Sequence, residues 1–81
     1  MTFQEISEAL VYTAKDEGLT VTYSYDNPVV HKGLRSMRLV VNGDCNLSFY
    51  FKDFLYEPAL DIVTETDLDK ALSRGLDFIY N

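Results

Sequence analysis

The stretch Met37–Phe51, MRLVVNGDCNLSFYF, decides the fold. Met37, Leu39 and Val41 alternate with Arg38, Val40 and Asn42. Past Gly43, Cys45, Leu47, Phe49 and Phe51 alternate with Asn46, Ser48, Tyr50 and Lys52. Period-two alternation marks strands with one buried face, so the stretch reads as an antiparallel hairpin. Asn42-Gly43 is a strong two-residue turn signal. A two-residue loop, however, would set Val41 against Asp44 and Leu39 against Asn46, apolar against polar. A three-residue loop, Asn42-Gly43-Asp44, pairs Val41 with Cys45, Leu39 with Leu47 and Met37 with Phe49. A slip of one residue sends every side chain to the other face, so burial selects the odd loop.

Upstream, Thr2 and Glu5 form a capping box and open a helix over about residues 3–17. Phe3, Ile6, Leu10 and Ala14 line one side of it, Lys15 suits its last turn, and Gly18 suits the left-handed position after the C-cap. The period then changes. Leu19, Val21, Tyr23 and Tyr25 alternate with Thr20, Thr22 and Ser24 as a first strand, ended by Asp26-Asn27-Pro28. Over residues 28–36 Val29-Val30 would extend an edge strand, but Gly33 and the basic residues favour an exposed connection carrying His31. Downstream of the hairpin, Asp53 to Glu57 fits one helical turn stopped by Pro58, and Leu60 to Thr64 fits a short strand or the approach to the last helix. Thr64 and Thr66 both fit as N-caps, and Leu68, Ala71, Leu72, Leu76 and Ile79 keep helical spacing to the end. Gly75 on that stripe permits close approach to the sheet. The expected fold is α+β: one small domain over residues 1–81, a three-stranded antiparallel meander with both terminal helices on one face.

The hydrophobic fraction of 47% and aromatic fraction of 14% belong to a folded chain. A single cysteine excludes an internal disulfide and a multi-cysteine metal site. The N-terminal residues lack a secretory signal pattern and no apolar run approaches bilayer length, so a soluble cytoplasmic protein is expected. The net charge of −6 argues against a nucleic-acid or anionic-membrane ligand. Its distribution is uneven: residues 1–27 sum to −4, 28–52 to +3 and 53–81 to −5.

The order helix–strand–strand–strand–helix is also that of double-stranded RNA-binding domains. Those open the second helix with lysines that meet phosphate; here Thr66-Asp67-Leu68-Asp69-Lys70 would repel it, and nothing is carried over. In size, charge and helix–sheet make-up the chain is similar to small acidic inhibitors of phages and mobile elements, some anti-CRISPR proteins among them, a likeness of type that no motif carries.

Catalytic signals are sparse. His31 and Cys45 are the sole histidine and cysteine, and a nucleophile–base pair between them would define a small enzyme using His31. Cys45, however, points with Leu47 and Phe49 into the core. No phosphate loop, metal-spaced cluster or serine elbow is present, and no cofactor is implied. Asp53, Glu57, Asp61, Glu65 and Asp69 recur every fourth residue. On a helix that step rises about 6 Å, against ~3.4 Å between DNA phosphates on one strand, so mimicry would match charge and not position. The polar back of the sheet (Thr20, Thr22, Ser24, Arg38, Val40, Asn46, Ser48, Tyr50 and Lys52) is a second surface, with Tyr50 as a contact anchor. The expected function is a non-enzymatic module that offers these carboxylates, with Tyr50, to a basic protein groove such as one that holds nucleic acid. The alternative is an assembly component dimerising through the sheet face or an edge strand.

Overall fold

A computed structural model describes all 81 residues. Helix α1 (Phe3–Asp16) leads into strands β1 (Thr20–Ser24), β2 (Asn27–Lys32), β3 (Arg35–Asn42), β4 (Asp44–Phe51) and β5 (Phe54–Ile62), and helix α2 (Glu65–Ile79) closes the chain. The strands form one antiparallel sheet in the order β1-β2-β3-β4-β5. The meander and the two flanking helices are as expected; the sheet has five strands, not three.

Both added strands have a physical reason for escaping a pattern search. In β2, Pro28, Val29 and Val30 are all buried, so polarity does not alternate. Pro28 is the second residue of the strand and precedes the ladder with β3, which starts at Val29, so its missing N–H is tolerated. The segment read as a connection is therefore sheet, and His31 sits in a strand. In β5 the register slips twice against β4, between Leu47/Phe49 and between Phe49/Tyr50. Pro58 falls inside the first slip, where the ladder is already broken. The slips turn both Tyr56 and Glu57 toward α2: the Tyr56 ring lies 4.9 Å from that of Phe78, and Glu57 Oε1 lies 2.6 Å from Arg74 Nη2. The helical turn expected over Asp53–Glu57 does not form.

The central register is the odd-loop one. Val41 pairs with Cys45, Leu39 with Leu47 and Met37 with Phe49, around Gly43 at φ 78°. The other hairpins turn on two residues each: Tyr25-Asp26, both with positive φ as a type I′ turn requires; Gly33-Leu34; and Lys52-Asp53, with Lys52 at φ 58°. Tyr23 and Tyr25, expected on the buried side of the first strand, are exposed, because β1 is an edge and Tyr25 belongs to its turn.

One side of the sheet meets both helices. Val30, Met37, Leu39, Leu47, Phe49 and Ile62 form a single core with Ile6, Leu10 and Ala14 of α1 and Leu68, Ala71, Phe78 and Ile79 of α2. Both helices start with capping boxes, Thr2–Glu5 and Thr64–Asp67, which selects Thr64 over Thr66. Gly75 is where α2 comes closest to the strands: a Cβ there would lie 2.5 Å from Met37 Sδ and 3.3 Å from Phe49 Cε1.

That contact sets a test. Alanine at position 75 would gain about 1 kcal/mol of helix propensity but overpack a site whose neighbours are fully buried, a cost of about 1–3 kcal/mol. Gly75→Ala is expected to lower stability slightly and Gly75→Val to lower it by about 2 kcal/mol or more, read as the midpoint shift in urea denaturation at unchanged slope.

Candidate functional site: an acidic end and an open sheet face

The five carboxylates of the four-residue recurrence do not share a face. Asp53 is in the β4–β5 turn, its side chain 98% exposed and 3.8 Å from Arg38 Nη2. Glu57 points the other way, into its ion pair with Arg74, whose angles lie outside hydrogen-bond geometry. Asp61 is exposed on β5 opposite Asn46, and Glu65 and Asp69 are exposed one turn apart on α2. The stripe is thus split over a turn, a strand and a helix. Only one continuous helix would align these acids; Pro58 already interrupts such a helix in the sequence, and β5 takes its place.

A different grouping emerges from the topology. In a meander, successive turns alternate between the two ends of the sheet. One end carries the Gly33-Leu34 and Lys52-Asp53 turns, joined by Lys52 N–H donating to Leu34 O (2.6 Å). Both helix C-termini reach it: Tyr80 Oη donates to Glu17 O (3.2 Å), and Arg35 Nη1 donates to Phe78 O (3.3 Å). The opposite end carries the Tyr25-Asp26 turn, the Gly43 turn and both helix N-termini, and there the Met1 amino group donates to Val63 O (3.2 Å). This second end holds Glu5, Asp26, Asp44, Asp61, Glu65 and Asp67; the nearby cations are the Met1 amino group and Lys70, whose charge reaches Asp67. The other seven acids match the seven bases in number, so the excess of acidic side chains lies at this end.

These six carboxylates divide into two kinds. Glu5 and Asp67 are committed to the caps: Glu5 Oε1 accepts from Thr2 N–H (2.9 Å), and Asp67 Oδ2 accepts from Thr64 N–H (3.0 Å) and Val63 N–H (3.1 Å). Those bonds hold both below the usual carboxylate range, chiefly through the backbone N–H of Thr2 for Glu5 and of Thr64, then Val63, for Asp67. The macrodipoles of α1 and α2, each worth about half a positive charge at its N-terminus, act in the same sense. Asp26, Asp44, Asp61 and Glu65 are exposed, and neither of the two ion pairs involves them. Asp26 and Asp44 were not selected from sequence, because only the alternation of turns brings them beside Asp61 and Glu65.

The sheet face away from the helices is uncovered. Thr22, Val29, Arg38 and Ser48 form one row across it, and Thr20, His31, Ser36, Tyr50 and Leu55 another. Tyr50 lies on this face as expected, with the Arg38 guanidinium 3.8 Å from its ring centroid. A cleft of about 280 Å³ opens beside them, lined by His31, Ser36, Arg38, Lys52 and Asp53 among others. His31 Nε2 is 2.7 Å from Thr22 Oγ1. Cys45 is half-buried on the helix side, so the sheet separates it from His31 and no nucleophile–base pair exists. No group of three His, Cys, Asp or Glu side chains is placed to hold a metal ion. No helix is long and apolar enough to cross a membrane.

No family model, no curated protein and no solved structure matches this chain.

The caps make the acid limb of stability specific. A carboxyl that is more acidic in the folded than in the unfolded chain stabilises the fold above its unfolded pKa, and that contribution fades as pH falls through its folded value. Stability is expected to be level from pH 7 to about 5 and to fall below about 4. The Glu5→Gln/Asp67→Asn double variant, whose amides can still accept the capping bonds, should fall less steeply, as urea unfolding at pH 3 to 7 would measure.

Proposed function

We propose that this chain is a non-enzymatic protein-binding module whose acidic end docks on a basic protein surface. The observation that carries the reading is the grouping of Asp26, Asp44, Asp61 and Glu65, exposed and free of ion pairs, at the end where the excess of acidic side chains lies. Carboxylates so placed focus a negative field and steer a cationic partner before contact. Of the contact residues expected from the sequence, Asp61 and Glu65 belong to this end. Asp69 follows one turn along α2, while Asp53, Tyr50 and Glu57 lie elsewhere. Basic surfaces of this chemistry are those that hold nucleic-acid backbones. The reading therefore extends to a cytoplasmic competitor for such a surface, acting as small acidic inhibitors of phages and mobile elements do.

One observation favours a second reading, self-assembly. Phe54, Leu55 and Tyr56 on the edge strand β5 are 76%, 57% and 56% exposed. Light scattering separates the two readings, since a mass that stays monomeric as concentration rises removes assembly.

The docking reading is tested by position at constant charge. Asp44→Lys/Asp61→Lys/Glu65→Lys and Asp16→Lys/Glu17→Lys/Asp77→Lys alter the net charge equally, at opposite ends. Tagged wild type should retain a basic protein from lysate of its own organism at about 0.05 M salt and release it by about 0.5 M, where screening is strong. The second triple variant should retain the same protein and the first should lose it. Equal behaviour of the two variants would sink the proposal.

A further inference from the structure

We infer that the cleft on the open sheet face, at the end away from the acidic one, is a binding site for the phosphate group of a small phosphomonoester. The inference is independent of the docking reading. Three features converge on it.

The first is Arg38. Its guanidinium carbon lies over Tyr50, 3.8 Å from the ring centroid, and the single charged partner of the group is Asp53, exposed and 3.8 Å away, beyond hydrogen-bond range. Its Nε–H is buried without an acceptor. A guanidinium over a ring and without a hydrogen-bonded acceptor is suited to two parallel bonds to an oxyanion.

The second is Ser36, which stands next to His31 and Tyr50 in its row of the sheet and lines the cleft. The residue is 4% exposed and its Oγ has no hydrogen-bond partner. A buried hydroxyl without a partner costs about 1–3 kcal/mol, so a ligand oxygen that reaches it on a small shift of the cleft wall relieves that cost.

The third is charge. Lys52, held at φ 58° in its turn, borders the cleft with its Nζ 5.9 Å from the Phe51 ring, and Arg38 is the cation beside the one carboxylate of Asp53. Arg35, although it borders the cleft, has its guanidinium on the helix side over Phe78 (4.7 Å). With Nε2 of His31 engaged by Thr22, its Nδ1 is the ring nitrogen left for a ligand. The border of the cleft thus carries Arg38 and Lys52 against the one carboxylate of Asp53, in an otherwise acidic protein. The cleft volume of about 280 Å³ leaves room beside a phosphate, and Leu34 supplies one apolar wall for an organic group.

The test is amide-shift titration with phenyl phosphate and, separately, inorganic phosphate. Phenyl phosphate should saturate with a Kd of order 1 mM, moving Gly33, Ser36, Arg38 and Lys52, and bind more tightly than inorganic phosphate. Ser36→Ala should weaken binding about tenfold while leaving the melting temperature unchanged or higher, because it removes an unpartnered buried group. Lys52→Gln, at an exposed turn, should also weaken it, and Asp53→Asn should tighten it. Shifts that stay linear to about ten times that concentration, or a Ser36→Ala variant that binds as wild type, would overturn the site. Equal affinity for the two phosphates would overturn the monoester assignment in favour of free phosphate.

Discussion

The pairing of Val41 with Cys45 governs the molecule. Because side chains alternate across a strand, this register puts Met37, Leu39, Leu47 and Phe49 together on the side of the helices and Arg38, Val40, Ser48 and Tyr50 together on the other. Shifted by one residue, the core would face water and the Arg38–Tyr50 stack would be buried under α2. The fit of α2 follows from the same parity, since Met37 and Phe49 are the side chains against which Gly75 packs. So does the cleft, whose Ser36 and Arg38 are the open-face members of β3.

The features legible in the sequence are those set by local geometry: the two caps, both helical stripes, the odd loop at Gly43 and the close approach at Gly75. The strands at the sheet margins were legible only as alternatives, at Val29-Val30 and from Leu60. In β2 the sheet buries Val29 on one face and Pro28 and Val30 on the other, which erases the alternation that identifies a strand. In β5 two register slips put Tyr56 and Glu57 on the same side, and the spacing of its acids imitates a helix. Non-local pairing decides both segments, and periodicity carries no information about it.

The candidate site was legible in the same partial way. Net charge, and the membership of Asp61, Glu65 and Tyr50 on exposed surfaces, could be read along the chain. The block order acidic–basic–acidic could not show that the blocks fold into an axis, with anionic groups around the helix N-termini and Lys32, Arg35 and Lys52 around the C-termini. That arrangement lets each charge oppose the nearby helix dipole, so part of the asymmetry serves the fold. The exposed remainder, Asp26, Asp44, Asp61 and Glu65, is what the fold itself leaves unused.

An odd number of strands between two helices has one more outcome. The chain reverses direction at every turn, so β5 finishes where α1 began, and α2 runs parallel to α1. Met1 and Asn81 therefore lie at opposite poles, Met1 beside Val63 and Asn81 beyond the helix ends that meet Glu17. A fusion partner or solid support attached through Asn81 leaves the carboxylate-rich pole clear, whereas one attached through Met1 crowds it.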